Sequence, residues 1–133
     1  MQHIEHEHQV ALIRWAAQVH IPAGSDIKPG ARVVDYLLAI PNGGKRSGPR
    51  EGARLKAEGV KPGVSDLLLP LRRGGCAGLW LEMKAPGKKP NPVQREWIER
   101  MAMAGYHATW CDDWQKAAHV ITQYLAGALP PQH

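Results

Sequence analysis

The residues best suited to chemistry lie in two short stretches. Leu79-Trp80-Leu81-Glu82-Met83-Lys84 alternates with period two, so an extended chain sends Leu79, Leu81 and Met83 to one face and Trp80, Glu82 and Lys84 to the other. Asp66 stands sixteen residues before Glu82, at the head of the apolar run Leu67-Leu68-Leu69-Pro70-Leu71. A Gly74-Gly75 turn between the stretches makes a β-hairpin and returns Asp66 to a place opposite residues near Met83. Cross-strand neighbours stand about 5 Å apart, close enough for two carboxylates to share one cation. Whether Asp66 faces the side of Glu82 depends on a one-residue register, which the sequence leaves open.

Two carboxylates beside a lysine suit phosphodiester hydrolysis. Mg²⁺ takes oxygen ligands, commonly one or two carboxylates together with water and substrate phosphate. It polarises a phosphoryl oxygen and activates water, while a neighbouring ammonium offsets charge that develops at phosphorus. Spacing alone also admits a plainer arrangement, a Glu–Lys ion pair on the sheet with Asp66 merely beginning a strand.

Charge distribution is compatible with a phosphate-bearing partner. The formal net charge is +5, but twelve Lys or Arg against four acids fall between Lys45 and Arg95, a local net of +8. The remainder carries five basic residues against eight acidic ones, a net of −3. Basic charge gathered in the middle of one domain is an electrostatic footprint for phosphates, or else a solvated basic surface. Cys76 and Cys111 lie far apart with no CxxC, which argues against a disulfide framework and against a thiolate zinc site. His3, His6 and His8 lack an i, i+4 pair and read as surface histidines. No basic segment followed by an apolar run marks a signal peptide, and no apolar stretch approaches the ~18–20 residues of a membrane span. A cytoplasmic address is the expectation.

The elements that must position these residues follow from periodicity and punctuation. Residues 4–19 form an amphipathic helix, ended by Ile21-Pro22. Residues 23–32 are a loop, and the apolar run 33–40 is suited to a strand that stops at Pro41-Asn42-Gly43-Gly44. A basic loop precedes a short helix over 51–58, with Gly59 as its stop. Strands over 63–71 and 78–85 form the hairpin. Asn91, Pro92 and Gln94 make a capping-box start for a helix to about Ala104. A strand over 107–111 and a helix to about Leu125 follow, and the Gly/Pro-containing tail over 127–133 is expected to be loose. The order α-β-α-β-β-α-β-α implies one α/β domain over residues 1–133, a mixed β-sheet flanked by helices.

Several stretches together carry a family resemblance. They are Glu5-His6-Glu7-His8-Gln9, Ile40-Pro41-Asn42-Gly43-Gly44, and Leu55-Lys56-Ala57-Glu58-Gly59-Val60-Lys61-Pro62-Gly63-Val64. To these are added Gly63-Val64-Ser65-Asp66 with Glu82-Met83-Lys84, and Asn91-Pro92-Val93-Gln94 before Trp97. In this order they resemble the D…ExK core of the PD-(D/E)XK nuclease superfamily, and more narrowly the VRR-NUC family in its small, stand-alone phage and prophage form. The likeness spans Glu5 to Tyr124.

The resemblance implies a restriction-endonuclease-like core and a Mg²⁺- or Mn²⁺-dependent DNA endonuclease. It also implies a homodimer selective for branched DNA such as Holliday junctions, working in the cytoplasm of a phage or prophage host. It places the metal on Asp66, Glu82, the carbonyl of Met83 and Glu5, with Glu7 a competing neighbour for the helix-one position. Glu5, Asp66, Glu82, Lys84 and Gln94 become the catalytic set. Gln9, Asn42, Lys45, Arg46, Lys56, Lys61, Lys88 and Lys89 become candidates for nucleic-acid contact. The family usually has Pro before the aspartate where this chain has Ser65, a change expected to loosen the approach to Asp66 without loss of activity. A catalytically silent DNA-binding module, or a helper subunit of a phage replication or packaging complex, is the alternative function. Acids set among basic residues favour the enzyme, because binding alone has no need of them.

The local net charge of +8 leads to a prediction for binding. Affinity for duplex DNA should fall steeply with salt, with a log–log slope of about −0.9 for each phosphate neutralised. Fluorescence anisotropy across a salt titration measures it, and a flat response removes the basic segment from the interface.

Overall fold

A computed structural model describes residues 4–41 and 48–132. The elements are α1 (Ile4–Ala16), α2 (Val33–Tyr36), β1 (Leu38–Ala39), α3 (Gly48–Ala57), β2 (Leu67–Leu69), β3 (Leu79–Met83), α4 (Pro92–Met103), β4 (His107–Cys111) and α5 (Trp114–Leu125). One four-stranded sheet runs in the order β1-β2-β3-β4. The pairs β1/β2 and β2/β3 are antiparallel, and β3/β4 is parallel. The parallel pair requires a crossover, which α4 supplies. This is the mixed sheet flanked by helices that the sequence implies.

The two faces of the sheet divide the labour. Leu67, Leu69, Leu79, Leu81 and Met83 point into the main core, where they meet Leu12 and Ala16 of α1 and Ala117, Ile121 and Tyr124 of α5. On the other face Trp80 lies edge-on to Trp97 of α4 at 5.4 Å and to Tyr106 at 6.2 Å. Every residue of β3 is buried on one face or the other. The hairpin closes through Gly74 and Gly75, whose φ values of 58° and 85° suit the two-residue turn that joins twisted antiparallel strands. Arg73 and Cys76 exchange both backbone bonds across it, and the Tyr124 hydroxyl donates to the Leu71 carbonyl at 2.6 Å.

Two expectations need correction. Residues 33–36 form a helical turn rather than the start of a strand, which leaves only Leu38–Ala39 extended. The β-branched pair Val33-Val34 is overruled by local bonding and burial. Asp35 Oδ2 accepts from the Arg32 amide at 2.8 Å, the Leu37 amide bonds the Val33 carbonyl at 2.9 Å, and Val33 is fully buried. The order is therefore α-α-β-α-β-β-α-β-α.

The C-terminal tail, expected to be loose, is tied down. Leu129 packs on the core. The Gln132 side-chain amide donates to the Ala108 carbonyl at 3.0 Å and accepts from the Ala108 amide at 2.9 Å. Those groups lie on the outer edge of β4, where unpaired backbone otherwise invites another strand.

Gly63 sets the approach to β2. Its φ is +80°, and a Cβ there would stand 2.8 Å from the Val93 carbonyl oxygen in the first turn of α4. Gly63→Ala should therefore cost about 1–3 kcal/mol, read as a lower Tm in thermal denaturation. An unchanged Tm would mean that this loop yields freely and does not brace Asp66.

Candidate active site

The β2/β3 register resolves the question that spacing left open. Leu67 pairs with Leu81, Leu68 with Trp80 and Leu69 with Leu79. One step further along the same register puts Asp66 opposite Glu82, so both side chains fall on one face. Two bonds hold Asp66 there. Its carbonyl accepts from the Ile40 amide at 2.7 Å, and its Oδ2 accepts from the Met83 amide at 2.8 Å. Asp66 thus bridges its two neighbouring strands just beyond the last ladder pair of β2.

Glu5 joins them from the first turn of α1. Carboxylate oxygens of Glu5, Asp66 and Glu82 lie within 4.8 Å of one another, the only group of its kind among the described residues. Glu7, the alternative helix-one acid, is exposed and outside this group. Lys84 completes the cluster, its Nζ 3.8 Å from Glu5 Oε2 and 3.4 Å from Gln94 Oε1. Its backbone is fixed as well, since the Lys84 amide donates to the Cys111 carbonyl at 2.8 Å.

Gln94 serves in two ways. Its Oε1 accepts from the Asn91 amide at 2.9 Å while Asn91 Oδ1 accepts from the Gln94 amide at 2.8 Å, a complete capping box. The same oxygen receives the Lys84 ammonium. The helix cap therefore doubles as a clamp on the lysine.

The remaining candidates scatter. Gln9 is half-buried on α1, and the Met83 side chain is fully buried in the core. Lys88 and Lys89 are exposed and, with Ile4, Glu5, Lys84, Ala85 and Pro86, line a cavity of about 540 Å³ beside the acids. Lys56 and Lys61 are exposed elsewhere and do not line it. Asn42, Lys45 and Arg46 lie outside the described residues.

Sequence reasoning missed two supporting residues. Asp112 Oδ2 accepts from the Gly87 amide at 3.2 Å and so tethers the turn that carries Lys88. His8, taken above for a surface residue, accepts at Nδ1 from the Trp114 amide at 3.0 Å. Neither has a sequence signal, because the partners are 25 and 106 residues away.

Electrostatics mark the acids as strained when alone. Burial pushes the Glu82 carboxyl up to about 8, and the charge of Asp66 adds to the shift. Asp66 is also raised, first by burial, with the Met83 amide opposing. Glu82 is 2 % exposed, and its Oε1 is buried with no hydrogen-bond partner. An orphan buried oxygen, two carboxyls that resist ionisation and an all-oxygen donor set are what a hard divalent cation would satisfy. The residues present therefore fit such an ion.

A four-stranded mixed sheet, a carboxylate pair across a hairpin and a lysine two residues after the second acid define a nuclease-type fold of the PD-(D/E)XK kind. The family model for the VRR-NUC domain matches residues 30–114, and the chain belongs to that family. A solved structure described as a VRR_NUC domain protein superposes with a TM-score of 0.77 at 28% identity, covering 98% of this chain and 97% of its own. No functionally curated protein matches the sequence. Glu5 and His8 precede the stretch that the family model matches, although the structural match reaches across nearly the whole chain.

The raised acid leads to a pH prediction for the metal-free protein. Glu82 ionises near 4.5 when unfolded and near 8 when folded, so the fold favours its protonated form. The stability this gives is full below the unfolded value and is lost as pH rises towards the folded one. Chemical denaturation without divalent cation should therefore give a wild-type midpoint that drops between about pH 5 and 8. Glu82→Gln should flatten that drop, and equal pH slopes for the two proteins would refute the burial argument.

Proposed function

We propose that this protein is a divalent-metal-dependent DNA endonuclease that hydrolyses phosphodiester bonds. The observation that carries the reading is the convergence of Glu5, Asp66 and Glu82 within 4.8 Å beside the Lys84 ammonium. Asp66, Glu82 and Glu5, with the carbonyl of Met83, would hold Mg²⁺ or Mn²⁺. When bound, the ion supplies Lewis acidity towards a phosphoryl oxygen and lowers the pKa of water.

The chain's own residues perform the rest. Lys84 presents a fixed positive charge to the non-bridging phosphate oxygens, where negative charge builds as water adds to phosphorus and the P–O bond to the leaving oxygen breaks. Gln94 accepts from that ammonium and so limits its orientation. Glu82 lies on a buried strand and the Lys84 side chain is mostly buried, which reduces the screening of these charges by water. Lys88 and Lys89, on the rim of the cavity beside Glu5 and Lys84, hold the backbone on one side of the cut. Gln9, Asn42, Lys45, Arg46, Lys56 and Lys61 remain candidates for nucleic-acid contact on the family resemblance alone.

The finer reading follows the family resemblance: one nuclease domain over residues 1–133, acting as a homodimer on branched DNA such as Holliday junctions. Exposed Val93 and Met103 on α4 give that helix apolar surface for a second copy. No described helix is long and apolar enough to cross a membrane. A DNA substrate agrees with the cytoplasm of a phage or prophage host.

Cleavage of supercoiled plasmid and of a four-way junction, with Mg²⁺, Mn²⁺ and EDTA arms, tests the proposal. Wild type should cut with either metal and not with EDTA. Glu82→Ala and Lys84→Ala should each lose at least 100-fold in rate while remaining folded by circular dichroism, a loss of the size expected for an electrostatic group at a transition state. Turnover by either variant at the wild-type rate would overturn the assignment. Metal-independent binding without cleavage by the wild type would instead favour the silent DNA-binding module.

A further inference from the structure

Glu5 differs from Asp66 and Glu82 in how it is held. The two sheet acids are locked by a ladder register, whereas Glu5 sits in the first turn of a helix whose preceding residues lie outside the described ones. Helix ends fray, so an acid there needs an anchor if it is to meet the others within 4.8 Å.

His8 lies three residues on, one turn from Glu5 along α1. Its Nδ1 accepts from the amide of Trp114, the first residue of α5, at 3.0 Å. The first amides of a helix have no partner within it. Asp113, the N-cap of α5, takes the Lys116 amide at 2.8 Å. The Trp114 amide is left for a partner from outside the helix, and α1 provides it.

The position of that bond gives it meaning for the site. Residues 111–114 form the corner between β4 and α5. The same corner accepts the Lys84 amide at the Cys111 carbonyl, and the Gly87 amide at Asp112. Lys84, the turn beside Lys88 and the start of α1 are thus all tied to one short piece of chain. The 3.8 Å separation of Lys84 Nζ from Glu5 Oε2 closes the circuit.

We infer that His8 is a positioning residue: its Nδ1 bond to the Trp114 amide holds the first turn of α1 against the β4–α5 corner and thereby delivers Glu5 to the acid cluster. This rests on the metal-dependent reading given above. His8 is not a member of the acid cluster and does not line the cavity beside it. It acts through Glu5.

The test uses the whole chain and two variants with opposite helix propensities. His8→Asn keeps an acceptor near the place of Nδ1, although Asn is the poorer helix former. His8→Leu keeps bulk and improves propensity, but has no acceptor. If His8 only stabilised α1, Leu would be the better replacement. The measurements are Trp114 amide exchange by NMR and the Mn²⁺ concentration giving the half-maximal rise in Tm, with the metal as the only added ligand. His8→Leu should lose protection at Trp114 and need several-fold to about tenfold more Mn²⁺, the scale of one lost hydrogen bond. His8→Asn should stay near wild type in both. Equal Mn²⁺ midpoints for His8→Leu and wild type, or unchanged Trp114 protection in His8→Leu, would overturn the inference while leaving the metal site in place. A wild type with no Mn²⁺ response at all would instead count against the metal-dependent reading itself.

Discussion

The pairing of β2 with β3 is the constraint on which the rest of the site depends. A shift of one residue in an antiparallel pair sends every side chain of a strand to the other face. Here such a shift would move Asp66 away from Glu82, and would push Leu67 and Leu69 out of a core in which both are fully buried. The hydrophobic core and the acid pair are thus enforced by the same register. The Gly74-Gly75 turn and the Tyr124 bond to Leu71 hold the hairpin from the far end. The Asp66 bonds to Ile40 and Met83 hold it at the site.

That arrangement brings acids together against their own electrostatics. Burial raises both Asp66 and Glu82; the charges of Asp66 and Glu5 push Glu82 further up, and the charge of Glu5 does the same to Asp66. A fold that buries a carboxyl with an unpartnered oxygen loses stability near neutral pH unless something compensates. A divalent cation is the compensation that the oxygen donors suit. The metal-binding reading and the tension in the metal-free site therefore have one physical cause, a buried Glu82 and a half-buried Asp66 set opposite each other across the β2/β3 hairpin.

Support for the site is concentrated where β4 passes into α5. The Cys111 carbonyl takes the Lys84 amide, Asp112 takes the Gly87 amide, and the Trp114 amide reaches His8. Most of these bonds use backbone groups that a strand end or a helix start leaves unpaired in any case. The site is braced by the edges of regular elements and not by a dedicated network. The Asn91–Gln94 box follows the same economy, capping α4 and receiving Lys84 through a single oxygen.

Much of this was legible in the sequence because it depends on local rules. Period-two alternation exposed the shared face of Glu82 and Lys84, the capping box marked the start of α4, and β4 falls on the residues its composition indicates. The motif order was enough to identify the family later shown by the match over residues 30–114. Where sequence reasoning failed, either a local side-chain bond outweighed composition or the deciding contact was long-range. Val33-Val34 has the composition of a strand, yet Asp35 bonding back to Arg32 and the burial of Val33 turn it into a helix.

Gln132 reads as part of a mobile end, but it finds the edge of β4, 24 residues away. The selection of Glu5 over Glu7 in the acid cluster, and the role of His8 in holding it, required α1 to be docked on α5. Spacing determines which face of an element a side chain shares. Only packing between distant elements decides which of those faces meet, because that energy belongs to contacts that no local stretch of chain contains.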